Sequence, residues 1–262
     1  MILVTGATGN VGRHVAAGLS EAGAQVRTSS RSAGDVPADL GDPASLDAAL
    51  AGVDAVFLVW PGPGVPGIDK TVATITRRVR KVVYLSAAGA EHGFWGEVEQ
   101  AVERSGGDWV FLRPGGFATN TLGWAGMIRD EGAVRWPYGA AARSLIDERD
   151  IADVAVTALT SDVLDGQRPH LTGPENVTQA EQVRLIGEAI GRPLRWIELA
   201  PETARQQLLA EWGDAGFVDA SLTYWASLVG TGEPVTDTVA RITGRPARAF
   251  RDWCHHHAAD FR

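Results

Sequence analysis

Residues 5–12 read Thr5-Gly6-Ala7-Thr8-Gly9-Asn10-Val11-Gly12, with a glycine at every third position directly after the apolar stretch 2–4. Such spacing suits a backbone that must lie against a bulky anion. Gly6 lets the chain turn sharply out of a strand. Gly9 admits a pyrophosphate where a Cβ would otherwise stand, and Gly12 lets the next helix pack close to its sheet. That helix would aim free N–H groups and the positive end of its dipole at the phosphates. Thr8, Asn10 and Val11 complete the loop. The implied chemistry is the binding of a dinucleotide; the bland alternative is a structural turn.

The next segment bears on which dinucleotide. An NAD site usually places an acid at the end of the second strand, where it accepts from the ribose hydroxyls. Residues 28–32 are Thr28-Ser29-Ser30-Arg31-Ser32, an arginine flanked by hydroxyls with no acid. A guanidinium suits the extra phosphate of NADP, so NADP(H) is preferred, with NAD(H) also admitted if Arg31 only stacks on adenine. Asp39 and Leu40 fall where a third strand would meet the adenine. Asp39 either accepts from its amino group or caps the turn before Pro43. Trp60 and Pro61, at the end of a later strand, join the expected cofactor set.

Candidates for proton transfer are few. His92 lies in loop 87–93, after a strand ending at Ser86, and an imidazole donates near neutral pH; the other reading is a solvated loop histidine. Asn120 either donates to a developing oxyanion or caps a helix beginning near Thr121. Glu97, Glu99 and Glu103 share a helix and read as an exposed charged face. His255, His256 and His257 are consecutive. Adjacent helical side chains diverge by about 100°, so no metal site is expected there.

The elements that must position these groups alternate. Strands are expected at 2–4, 25–29, 55–60, 81–86 and 109–112, and helices at 11–19, 43–50, 68–78 and 96–104. The continuous apolar run 55–60 fits a strand covered on both faces. Strand–helix alternation implies a parallel sheet with right-handed crossovers. The Pro/Gly-rich stretch 61–67 is a loop at the carboxyl edge. Beyond residue 114 the helices lengthen, at 151–160, 179–190 and 202–212. Eight of the nine tryptophans lie beyond residue 94. The fold class is therefore α/β, a Rossmann-type doubly wound parallel sheet over residues 1–114 that later segments complete. Residues 115–262 form a smaller, mostly helical substrate part.

Composition sets limits. With 262 residues, 45% hydrophobic and 21% charged, the chain needs neither metal nor disulfide to build a core, and Cys254 is its only cysteine. The formal charge of −8 argues against a nucleic-acid partner, whose phosphates attract basic surfaces. No apolar run reaches the roughly 18 residues of a membrane span, and Met1 leads straight into the first motif. A cytoplasmic protein, monomer or homodimer, is expected.

Several motifs in order resemble the NmrA-like family of atypical short-chain dehydrogenases over almost the whole chain. Besides residues 5–12 these are Ala38-Asp39-Leu40, Asp54-Ala55-Val56, Leu112-Arg113-Pro114-Gly115-Gly116-Phe117 with Asn120, Glu148-Arg149-Asp150-Ile151-Ala152 and Leu171-Thr172-Gly173-Pro174-Glu175. The family includes quinone and azo reductases and also redox sensors that bind the cofactor without consuming it. The resemblance implies that Pro114, Gly115, Gly116 and Phe117 border the nicotinamide and that Ser86, Ala87 and Ala88 flank its ribose. The usual Tyr-x-x-x-Lys acid is missing. Four residues after Tyr84, Tyr138 and Tyr224 stand Ala88, Ala142 and Leu228, and the only lysines are Lys70 and Lys81. A quinone tolerates this, because the hydroquinone anion spreads its charge over a ring and positioning dominates. Trp95, Phe117, Trp124, Trp136, Tyr138 and Trp225 either line a slot for a small aromatic substrate or fill core and seams. The expected function is an NAD(P)H-dependent oxidoreductase acting on a quinone or related aromatic carbonyl, including a variant in which the hydroquinone reacts with O₂. The rival is a non-catalytic NADP(H) sensor.

Overall fold

A computed structural model describes residues 1–62, 65–91 and 93–262. Along the chain run β1 (Ile2–Thr5), α1 (Gly12–Glu21), β2 (Val26–Ser29), α2 (Leu46–Ala49), β3 (Ala55–Leu58), α3 (Ile68–Thr76), β4 (Lys81–Leu85), α4 (Phe94–Arg104) and β5 (Asp108–Pro114). There follow α5 (Ala125–Glu131), β6 (Ala133–Trp136), β7 (Ala142–Arg143), α6 (Glu148–Thr160), β8 (His170–Leu171), β9 (Val177–Thr178) and α7 (Gln179–Ile190). The chain ends with β10 (Arg195–Glu198), α8 (Pro201–Trp212), α9 (Ala215–Ser227), α10 (Thr238–Thr243) and α11 (Phe250–His256). The segment expected as a helix over 43–50 begins as a 3-10 turn at Pro43–Ser45. Asp42 caps it by accepting from Ala44 N at 3.2 Å, and only then does it open into α2.

Two compact units emerge. The first comprises Met1–Gly115, Glu148–Leu171 and Thr238–Pro246, and the second Gly116–Asp147, Thr172–Asp237 and Ala247–Arg262. The opening segment of the first unit ends at Gly115, and two later segments return to that unit.

The first unit is a parallel six-stranded sheet in the order β2-β1-β3-β4-β5-β8. Alternate strand residues face opposite sides. Leu3, Val56, Leu58, Tyr84 and Phe111 pack into one core with residues of α2, α3 and α4. Val4, Phe57, Val83, Val110 and Leu112 are equally buried, and α1 packs on α6, which also touches β3, β4 and β5. Helices on both faces explain why the strands read as continuous apolar runs. The strand order reverses between β1 and β3, which opens the crevice where ligands of such sheets bind, at the carboxyl ends.

In the second unit β6 pairs parallel with β10, and β7 antiparallel with β9. Ile128, Val134, Ile186, Phe250, Trp253 and Cys254 share one core, while α8 and α9 close a smaller one around Ala204, Leu208, Val218 and Leu222. His257 departs from the solvated face expected of the three histidines. It is buried, stacks on Trp253 at 4.4 Å, and holds its Nδ1 2.7 Å from Asp260. The described residues contain no group of three or more His, Cys, Asp or Glu able to hold a metal. No described helix is long and apolar enough to cross a membrane. Burial pushes the Cys254 thiol up to about 12. Since only the thiolate is nucleophilic, Cys254 will resist alkylation in the native protein at pH 8 and label fully in denaturant. Native labelling at a free-thiol rate would show that the site opens.

Candidate active site

At the end of β1 the Thr5 hydroxyl donates to Phe57 O (3.0 Å) and accepts from Val59 N (2.8 Å), tying β1 to β3 where the strand order reverses. The chain then turns through Gly6 (φ 60°) and closes a tight loop with Gly9 N on Gly6 O at 2.9 Å. A Cβ on Gly12 would overlap the Gly6 carbonyl. Val11 is buried, whereas Thr8, Gly9 and Asn10 are exposed. The first turn of α1 has no side-chain cap and no acidic residue. Arg13 N and His14 N already donate to Gly9 O and Val11 O, whereas Val11 N and Gly12 N have no partner among the described residues and can meet an anion, and the cradle is kept clear by the absence of side chains. These residues fit a dinucleotide pyrophosphate.

Around the end of β2, Arg31 and Ser32 are exposed, and Arg31 has no ion-pair partner among the described residues. The structure adds an acid that the local sequence window missed. Asp35 folds back so that its Oδ2 accepts from Thr28 N at 2.9 Å and Thr28 Oγ1 at 3.0 Å. The backbone hydrogen bond and then the hydroxyl hold this carboxyl below its ordinary range. Asp39 Oδ1 accepts from Gly41 N at 2.8 Å, which is the turn-capping role. Leu40 is in the core, and its carbonyl accepts from Thr71 Oγ1 at 2.7 Å. Trp60 is also a core residue, and its buried Nε1 has no partner among the described residues. Pro61 is exposed.

The end of β4 is a polar knot. The Ser86 hydroxyl donates to Glu99 Oε1 at 2.5 Å, and Arg113 grips the same carboxylate through Nε (3.0 Å) and Nη2 (2.7 Å). Glu91 is a second partner of Arg113. Glu99 is thus buried, contrary to the exposed helix face expected for it, because β5 brings Arg113 against α4. Ala88 N donates to Pro114 O at 2.9 Å, joining segments 86–88 and 112–115 at the sheet's carboxyl edge. Ala87 lies between them. His92, the acid candidate, lies outside the described residues. Neither Lys81 nor Tyr84, the lysine and tyrosine of β4, stands as a free donor at this edge. Lys81 is buried on Asp165 and the Ser161 carbonyl. The buried Tyr84 hydroxyl is raised by burial and then by Glu99. Trp95 is half-exposed against Phe94, 4.2 Å away.

The second unit holds an open cavity of about 470 Å³, within the usual range for small-molecule sites. Trp124, Trp136, Trp212 and Trp225 wall it, with Asn120 among the lining residues. Trp136 lies 5.5 Å from Trp225 and 6.1 Å from Trp124, and Trp212 lies 6.3 Å from Trp225. Of the expected aromatic slot, Trp124, Trp136 and Trp225 are therefore together. Tyr138 does not line the cavity but packs, with Trp136 and Trp225, against the α8–α9 core, and half-buried Phe117 starts the turn leading to Asn120. Arg143, Trp212, Tyr224 and the nearby Glu233 were not singled out from sequence. Arg143 Nε donates to Glu233 Oε1 at 2.9 Å, and the Tyr224 hydroxyl donates to the same oxygen at 2.6 Å. Glu233 Oε2 accepts from Ser144 N at 2.8 Å. Burial alone would raise the Glu233 carboxyl, but Arg143 and these hydrogen bonds outweigh it and hold the group below its ordinary range. Burial and then Glu233 push Tyr224 up to about 12. Gly116 belongs to this cluster, since a Cβ there would overlap the Arg143 guanidinium. No local signal in the sequence links Arg143 to Glu233, which stand 90 positions apart.

A family model described as NAD(P)H-binding matches residues 6–162. The chain belongs to this NAD(P)H-binding family. A (4-alkanoyl-5-oxo-2,5-dihydrofuran-3-yl)methyl phosphate reductase of Streptomyces griseus is 41% identical over 279 residues, spanning all of this chain and 99% of its own. An NAD(P)H azoreductase of Xenophilus azovorans is 37% identical, spanning 100% and 99%. An NADPH-dependent quinone oxidoreductase of Escherichia coli, solved with NADPH, superimposes with a TM-score of 0.82 at 21% identity, over 98% of this chain and 99% of its own. That likeness concerns the fold. As a family member with reductases as its relatives, the chain is an NAD(P)H-dependent reductase.

Proposed function

We propose that this reductase acts on a flat conjugated carbonyl, a quinone or related aromatic carbonyl, with NADPH as its preferred donor. The four indoles around one cavity carry the reading, because flat π-systems are held well between aromatic walls. The names of the two relatives, an azoreductase and a reductase of a dihydrofuranone phosphate, support a conjugated acceptor. Bound NADPH supplies a hydride, which with one proton from water converts a quinone to the hydroquinone and leaves NADP⁺. The chain's own part is to hold the ring, exclude water and favour the oxygen that gains charge. Tyr224, raised to about 12, remains protonated at neutral pH and is a weak acid, which suits an acceptor whose reduced anion is already delocalised.

The test is NADPH oxidation by the purified protein across a panel of naphthoquinones and anthraquinones, with O₂ uptake followed in parallel. Steady turnover that falls about tenfold in Trp225→Ala is expected. Oxygen consumption in step with NADPH would extend the reaction to hydroquinone oxygenation. Tight NADPH binding without turnover on any acceptor would refute the proposal and favour the sensor.

NADPH preference rests on the free Arg31. Arg31→Ala is expected to raise the NADPH Kd about tenfold, the loss of a charge-assisted contact, and to leave the NADH Kd within about twofold. Cofactor fluorescence titrations read both. Equal weakening for the two cofactors would mean that Arg31 stacks on the adenine they share.

A further inference from the structure

We infer that Arg143 is the oxyanion-holding residue of the tryptophan-lined cavity, so that the site takes ionised hydroxyquinones in preference to their neutral ethers. The inference rests on the reading of the cavity as a quinone site. Arg143 lines the cavity with its side chain only 15% exposed. Glu233 is bonded to Nε, Nη2 packs against Gly116, the guanidinium also shares a hydrogen bond with the Tyr224 hydroxyl, and Arg143 still lines the cavity with its positive charge. Three features fix the guanidinium there. Glu233 anchors one edge, the Tyr224 ring lies 5.8 Å from the guanidinium carbon, and Gly116 leaves the space that Nη2 occupies.

The carboxylate that pairs with Arg143 is itself shared. Glu233 divides its negative charge among Arg143 Nε, the Tyr224 hydroxyl and Ser144 N. Tyr224 already gives its proton to Glu233, so its oxygen adds no donor. Among the lining residues Asn120 has a free carboxamide on the described chain, a neutral donor. Glu211 is the other ionisable lining group, and it is exposed, where solvent screens it. A preorganised charged donor whose own side chain is largely buried favours oxygen that carries charge over oxygen that does not. The hydroxyquinone anion presents such an oxygen at rest, as a reduced quinone does after reaction. Arg143 thus takes the place left by the missing tyrosine–lysine acid, by holding charge and not by giving a proton.

The test uses the full chain without cofactor and reads binding. Quenching of tryptophan fluorescence is titrated with 2-hydroxy-1,4-naphthoquinone, which is ionised at neutral pH, and with 2-methoxy-1,4-naphthoquinone, which cannot ionise. Tighter binding of the hydroxy compound is expected, with about a tenfold loss of that preference in Arg143→Gln. Glu233→Gln is the second variant, because removing the countercharge must raise affinity for the anion. A merely structural role would lower affinity in both variants and for both compounds. Equal affinities in the native protein, or an unchanged ratio in Arg143→Gln with the native circular dichroism, overturns the inference while leaving the quinone site standing. Quenching by neither compound overturns both. If Arg143→Gln does not fold, Glu233→Gln decides alone: a rise for the anion supports the inference, and no rise overturns it.

Discussion

Glu99→Ala is expected to lower the unfolding free energy by about 3 kcal/mol, the low end for breaking a buried ion pair. The Glu99 side chain is 5% exposed and accepts two hydrogen bonds from Arg113 and one from Ser86. Removing it strands a guanidinium that is itself 16% exposed and leaves the Ser86 hydroxyl without its acceptor. The low end is chosen because Glu91, still paired with Arg113, retains part of the compensation. Glu99→Gln should cost less, since the amide oxygen can still accept from Ser86 and Arg113 Nε, although the charge is lost and the new NH2 faces the Arg113 Nη2 donor. The double variant Glu99→Leu with Arg113→Met should recover most of the loss, because neither charge is then buried alone. Chemical denaturation measures all three. A cost under about 1 kcal/mol for Glu99→Ala, typical of exposed pairs, would mean that the carboxylate is solvated.

Gly12→Ala is expected to raise the NADPH Kd by at least about tenfold, from a packing strain of about 1–3 kcal/mol set against the cofactor's cradle. The new methyl would overlap the Gly6 carbonyl. That oxygen also accepts from Gly9 N and so shapes the loop. Relief requires α1 to move outward, which withdraws the uncapped N–H groups that a pyrophosphate needs. The readouts are a cofactor titration and a far-ultraviolet spectrum. Unaltered affinity in a folded variant would show that the phosphates do not use this turn.

Much of the first unit was legible in sequence because its signals are local. The glycine spacing of residues 5–12, the apolar runs 55–60 and 81–86 and the intervening helical periods each depend on neighbours within a dozen positions. The sheet topology follows from them by handedness and alternation. The helix α9 was not legible. Its apolar residues are spread around the axis, with Val218 and Leu222 buried and Phe217 and Tyr224 exposed. Only a cavity on one side and α8 on the other reconcile that pattern. The 3-10 start at Pro43–Ser45 escaped notice because a proline opening a turn reads equally as a helix start.

Sequence by itself determined the cofactor class, the α/β alternation and the absence of a tyrosine–lysine acid, since these are matters of residue type at short spacing. It also marked Trp124, Trp136 and Trp225 as aromatic candidates. Tertiary structure decided which of the candidates meet. It buried Glu99 by bringing Arg113 across from the next strand, and it turned Asp35 back onto Thr28. It also set Arg143 and Tyr224 at one cavity and joined both to Glu233 from distant parts of the second unit. Charge pairing and close approach depend on distance in space, and a chain of this length offers too many partners for spacing alone to choose among them.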